Sequence, residues 1–212
     1  MNIRLSLIAQ VALFAVAILF SLYMANQMPD VVPTHWGLSG KPDAFGSKWI
    51  NLLLMPGIIL FTAGLTYVLP AISPRQFRME SFETTYGTIC FLVALMMLGI
   101  HIVIVQASAN AAFEMNRVLM AVIFAFFAAF GNLMGRVKRN FFIGIRTPWT
   151  LADERVWHTT HRFAARLWLI GGAAGAIAAL VGAPMWFSIA LILVLSLVPV
   201  VKSYTDYQRL AR

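Results

Sequence analysis

Glu154, His158 and His161 stand at i, i+4 and i+7 in a 212-residue chain that is otherwise 60% hydrophobic. On a helix that spacing puts one carboxylate and two imidazoles on a single face, the donor types that hold zinc or iron. Neither HExxH nor the paired ExxH of four-helix metal bundles is present. Arg155 and Arg162 adjoin the set, so pairing with arginine or bonding to nearby backbone competes with metal binding. Upstream, Arg146 stands beside Gly144 and the Thr147-Pro148 step. Its five-donor fork suits an anionic group or, the better reading, a structural clamp. Asn140, Trp149 and Trp157 complete the chemistry-bearing residues of this polar stretch. Asn132 lies near the end of an apolar run; an amide is costly in hydrocarbon, so it is expected to face a bundle interior, as a packing group or lining a ligand path. In a second polar stretch, the first reading is Trp36 as an interfacial anchor and His35 as the cap of a turn; the sharper alternative is a small recognition surface of His35, Trp36 and Asp43, with His35 and Asp43 hydrogen-bonded. Two such ligands are too few for zinc. The single Cys90 sits in a hydrophobic run, which leaves no disulfide framework and no cysteine metal site. No cofactor motif is present.

These residues must be positioned by membrane helices. Only 11% of the chain is charged and its mean hydropathy is +0.80, against about 25% charged in soluble domains. Six runs are long enough to cross a bilayer, which takes about 20 apolar residues. They cover residues 5–25, 49–72, 85–105, 118–133, 163–182 and 185–201. The first exceeds a signal-peptide core and is followed by further spans, so it reads as an uncleaved helix. Pro56 predicts a kink in the second. The expected fold is all-α and polytopic. With the N-terminus inside, thirteen of the sixteen Lys and Arg residues fall on the inner side and Lys41, Lys48 and Arg117 on the outer. That bias makes both termini cytoplasmic. The +8 net charge is therefore topology signal and contact with anionic lipid heads, and direct nucleic-acid binding is not expected.

Residues 26–48 would then be an extracytoplasmic loop built from turns around Pro33, Gly37, Gly40, Pro42 and Gly46. Residues 136–162 would be a cytoplasmic loop, broken at Gly144 and Thr147-Pro148. Thr150, with Asp153 three residues on, reads as a capping box opening the helix that bears Glu154, His158 and His161. Gly131 and Gly135 on the fourth run, and Gly171, Gly175 and Ala179 on the fifth, are small-residue stripes for close helix packing. His101 is expected near the outer interface, without a ligand role.

The run Gly131-Asn132, then Asn140 through Leu151, then Val156-Trp157 and Thr160-His161-Arg162, resembles the signature of the SdpI family of bacterial membrane proteins. The Val32–Trp36 and Gly40–Asp43 stretches resemble a small domain of unknown function that often precedes it. The resemblance implies a two-helix unit at residues 1–72 followed by an SdpI-like four-helix unit at residues 73–212. It further implies a multi-pass protein of the bacterial inner membrane and no enzyme. The expected function is immunity to a secreted peptide toxin together with signalling by holding a cytoplasmic transcriptional repressor. A small-solute transporter or channel using Asn132 and the glycine faces, and a membrane metalloenzyme using Glu154, His158 and His161, are the alternatives. The expected partners are lipid, toxin and repressor.

Overall fold

The computed structural model describes residues 1–77 and 79–210; Arg78 and Arg212, two of the basic residues counted to the inner side, lie outside them. Among the described residues, six helices are long and apolar enough to cross a membrane. They are α1 (Ile3–Ala25), α2 (Lys48–Ile72), α3 (Glu83–Ala109), α4 (Met115–Met134), α6 (Glu154–Leu180) and α7 (Met185–Leu210), with a one-turn helix α5 (Pro148–Ala152) before α6. Their starts follow side-chain chemistry: Asn2 accepts from the Leu5 amide to cap α1, and Ser47 accepts from Trp49 to cap α2. α2 runs on through Pro56 and Pro70 as one helix.

α1, α2 and α3 pack on one another, and α3 also meets α4, so it ties the first two helices to the rest. α4 and α6 form the longest interface, and α7 lies on α6. That interface depends on missing side chains. A Cβ on Gly131 would stand 2.5 Å from the Leu169 amide, and one on Gly172 would run into the Ala128 amide. Gly175 lies against the Phe124 ring. The packed stripe of α6 is thus Trp157, His161, Ala164, Trp168, Gly172, Gly175 and Ala179, while Gly171 is turned toward Leu195 of α7.

The chain alternates direction, so Met1 and Leu210 share one face of the bundle with residues 73–77, 79–82 and 135–153. The opposite face carries residues 26–47, 110–114 and 181–184. On that face the turn-built loop expected for 26–48 is instead a β-hairpin, β1 (Val31–Trp36) paired antiparallel with β2 (Pro42–Ser47), with irregular register around His35. Gly37 and Gly40 shape the Gly37–Lys41 turn, where Gly40 takes φ 78°, while Pro33 and Gly46 lie within the strands, the β-branched Val31 and Val32 pair with Ser47 and Gly46, and Thr34 falls at the register shift. Val32 is fully buried among Met24, Ala25, Met28, Leu52 and Val105. Asn51 of α2 donates to the Pro33 carbonyl at 2.7 Å and so does Ser108 of α3 at 3.3 Å. These bonds fasten the hairpin to the bundle.

Candidate functional site

The 135–162 segment is a knot in which side chains stand in for backbone partners. No ladder exists here, and every buried amide and carbonyl needs another mate. Asn140, wholly buried, supplies four bonds. Its Oδ1 accepts from the amides of Phe142 (2.8 Å) and Ile143 (2.7 Å), and its Nδ2 donates to the carbonyls of Lys138 (2.8 Å) and Ile143 (2.9 Å). The chain then turns at Gly144, whose φ of 116° suits glycine. A Cβ there would stand 2.5 Å from His161 Nε2. His161 accepts from the Ile145 amide through Nε2 at 3.0 Å, which places its hydrogen on Nδ1, 2.7 Å from the Trp157 carbonyl. Trp157 stacks on His161, with centroids 4.0 Å apart, and donates from Nε1 to the Val137 carbonyl at 2.8 Å.

Downstream the expected caps are shifted. Thr147, not Thr150, is the N-cap of α5: its hydroxyl accepts from the Thr150 amide while its own amide donates to Thr150 Oγ1. Asp153 ends α5 and caps α6, accepting from the Arg155 and Val156 amides. The Arg155 guanidinium, hydrogen-bonded to Asp153, holds its carboxyl below the usual carboxylate range. Thr150 donates to the Ile145 carbonyl at 2.7 Å, closing the loop on itself. α7 seals the knot: Ser203 lies 3.0 Å from the Thr147 hydroxyl and Tyr204 packs on half-buried Trp149. Arg146 is exposed and donates to the Phe141 carbonyl, a clamp on the loop itself.

Two sequence readings need correction. Glu154, His158 and His161 share a helical stripe but not a site. Glu154 and His158 are outside, 3.6 Å from each other, while His161 lies a turn deeper under the loop with both ring nitrogens committed to backbone. Among the described residues, no group of three His, Cys, Asp or Glu could hold a metal. Asn132 is exposed on the outer side of α4, because its neighbour Gly131 is the residue that meets α6; it lines no interior path.

The opposite face is a separate locale. His35 Nδ1 lies 2.5 Å from Asp43 Oδ1 across the hairpin, both exposed, and Trp36 packs against Met115 and Val103. Val31, Leu38 and Phe45 are all more than 60% exposed. The hairpin turn is held to α4 by Asn116, which donates to the carbonyls of Gly37 and Leu38. Between this turn, residues 111–117 and the α6–α7 turn lies a cleft of about 400 Å³.

The polar groups inside α1–α3 escaped the sequence reading. Ser6, Gln10 and Thr66 bond to one another near the terminal end, and Ser21 donates to the Leu52 carbonyl at 2.6 Å and sits 3.0 Å from His101 Nε2 nearer the hairpin. His101 is fully buried. An apolar layer of Ala17, Ile59, Ala94 and Leu98 separates the two clusters. The helical spacing of Ser6, Gln10, Ala17 and Ser21 along α1 is the signal that could have revealed this face.

Residues 136–203 match the SdpI/YfhL protein family. That stretch is similar to the SdpI family. The segment begins just before Val137, which takes the Trp157 bond, and ends at Ser203, which closes on Thr147. Residues 12–60, from the middle of α1 through the hairpin into α2, match a domain of unknown function, DUF1648. The chain is 24% identical over 165 residues to the Immunity protein SdpI of Bacillus subtilis, covering 78% of this chain and 77% of that one. It is 36% identical over 93 residues to an uncharacterized protein of Archaeoglobus fulgidus, covering 41% and 49% of the two. No solved structure matches.

Proposed function

We propose that this chain is an integral membrane immunity protein that protects its cell against a secreted peptide toxin. The observation that carries this reading is the likeness, over most of both chains, to a protein named for immunity, including the segment whose side chains build the knot. The two faces then have different tasks. With both termini cytoplasmic, as the Lys and Arg bias favours, the hairpin with exposed Val31, Leu38 and Phe45, the His35–Asp43 pair and the neighbouring cleft meet the peptide outside. The knot face, rich in exposed arginine, is the surface on which a cytoplasmic repressor would be held. The channel reading gains no support from Asn132, which faces away from the interior, nor from the α1–α3 core, where apolar residues interrupt the polar groups. The test is survival of sensitive cells in toxin-containing culture supernatant. Cells producing the protein should survive a dose that kills those without it, and equal killing would remove the proposal.

A further inference from the structure

An apolar groove of about 260 Å³ runs along the side of the bundle between α2 and α4, with α3 as its floor. Leu65 and Leu69 form one wall, Phe126 and Phe130 the other, and Ile89 and Val93 lie beneath. Its end toward the terminal face is closed by Phe142, Ile143 and Gly144, the part of the knot that Asn140 and His161 hold in place. α2 and α4 make no extensive contact with each other, so the groove opens sideways, where the acyl chains of a surrounding bilayer would lie. Its chemistry admits a hydrocarbon tail and nothing that needs hydrogen bonds.

The charge at the closed end is one-sided. Residues 136–147 contain Arg136, Lys138, Arg139 and Arg146 and no acidic residue. Arg146 uses Nη1 on the Phe141 carbonyl, immediately beside groove-lining Phe142. Arg139 uses Nη1 on the Leu151 carbonyl and lies over the Phe77 ring, which in turn packs edge-on against Phe141. Each guanidinium retains N–H groups with no acceptor among the described residues. A planar fork with free donors is the group that recognises a phosphate, and juxtamembrane basic clusters favour anionic lipid.

We infer that this groove is a binding site for one anionic phospholipid, its acyl chain between α2 and α4 and its phosphate against Arg139 and Arg146. The inference rests on the helices lying in a bilayer, and not on the immunity reading, so each can fail alone. The lipid would prop Phe142 and Ile143 from the groove side while Asn140 and His161 hold them from the loop side.

The experiment is thermal unfolding of delipidated wild-type protein in detergent, titrated with phosphatidylglycerol, phosphatidylcholine or inorganic phosphate, together with native mass spectrometry. Phosphatidylglycerol should stabilise at a concentration at least tenfold below phosphatidylcholine and be retained at one molecule per chain, with inorganic phosphate without effect. Val93→Phe, which fills the groove floor, should abolish retention, and Leu54→Phe, on the outward side of α2, should not. Equal action of the two lipids, retention by Val93→Phe, stabilisation by phosphate alone, or a dimer of this chain in place of bound lipid would each overturn the inference. The wild-type titration decides the matter even if Val93→Phe fails to fold.

Discussion

Replacing His161 with phenylalanine separates the anchor role of this ring from any role toward a ligand. The stack on Trp157 survives, because a phenyl ring fills the same space. The acceptor for the Ile145 amide is lost, and that amide lies in a residue only 8% exposed. The Trp157 carbonyl loses a second donor but keeps its place in the helix. The cost is therefore dominated by one orphaned buried donor, about 1–3 kcal/mol. At roughly 2–4 °C per kcal/mol for a chain of this length, the midpoint should fall by about 2–12 °C. Gly144→Ala probes the same contact from the other side, adding a Cβ 2.5 Å from Nε2 at a φ of 116°. Backbone strain of about 1–3 kcal/mol adds to that collision, so its drop should be at least as large. Thermal unfolding of the detergent-purified proteins, followed by tryptophan fluorescence, measures both. A His161→Phe protein that unfolds with wild type yet no longer protects cells would show that the ring acts on something other than its own loop.

Three other outcomes are expected. Gly172→Ala drives a methyl into the Ala128 amide and should force α4 and α6 apart, lowering stability by about 1–3 kcal/mol in the same assay. His35→Ala removes an exposed pair and should leave the midpoint nearly unchanged while reducing protection against toxin; a large stability loss with protection intact would contradict the recognition role. Asp153 has a folded pKa below its ordinary value, so its contribution is full above the usual carboxylate range and is lost as pH falls through the depressed value. The midpoint gap between wild type and Asp153→Asn should accordingly narrow as pH is lowered from 7 toward 3.

The six helices were legible because hydropathy over about 20 residues is a coarse, redundant signal, and each expected run lies within a helix or reaches only a few residues beyond it. The polar loop was legible as a place but not as an object. Spacing put Glu154, His158 and His161 on one stripe, yet whether the loop covers that stripe depends on where 136–147 folds back, which no local pattern encodes. The same limit applies to Asn132 and Gly131. Both favour helix interfaces, and only the position of α6 decides which of two adjacent residues turns inward. The capping boxes at Thr147 and Thr150 share similar letters, and the proline at position 148 was read as a break when it is the first residue of α5. The hairpin was hidden by its own Gly and Pro, which mark turns whether or not strands lie between them.

The layer of Ala17, Ile59, Ala94 and Leu98 also has an electrical meaning. The idealised cost of moving a bare ion into such a low-dielectric slab is on the order of 20 kcal/mol, and after relaxation it is still several kcal/mol. A membrane potential supplies only about 2.3 kcal/mol per charge for each 100 mV. In a bilayer that septum would oppose ion passage through the α1–α3 bundle, for all the bundle's buried hydroxyls, amides and imidazole. A cell could carry many copies of it without dissipating the ion gradient on which it lives.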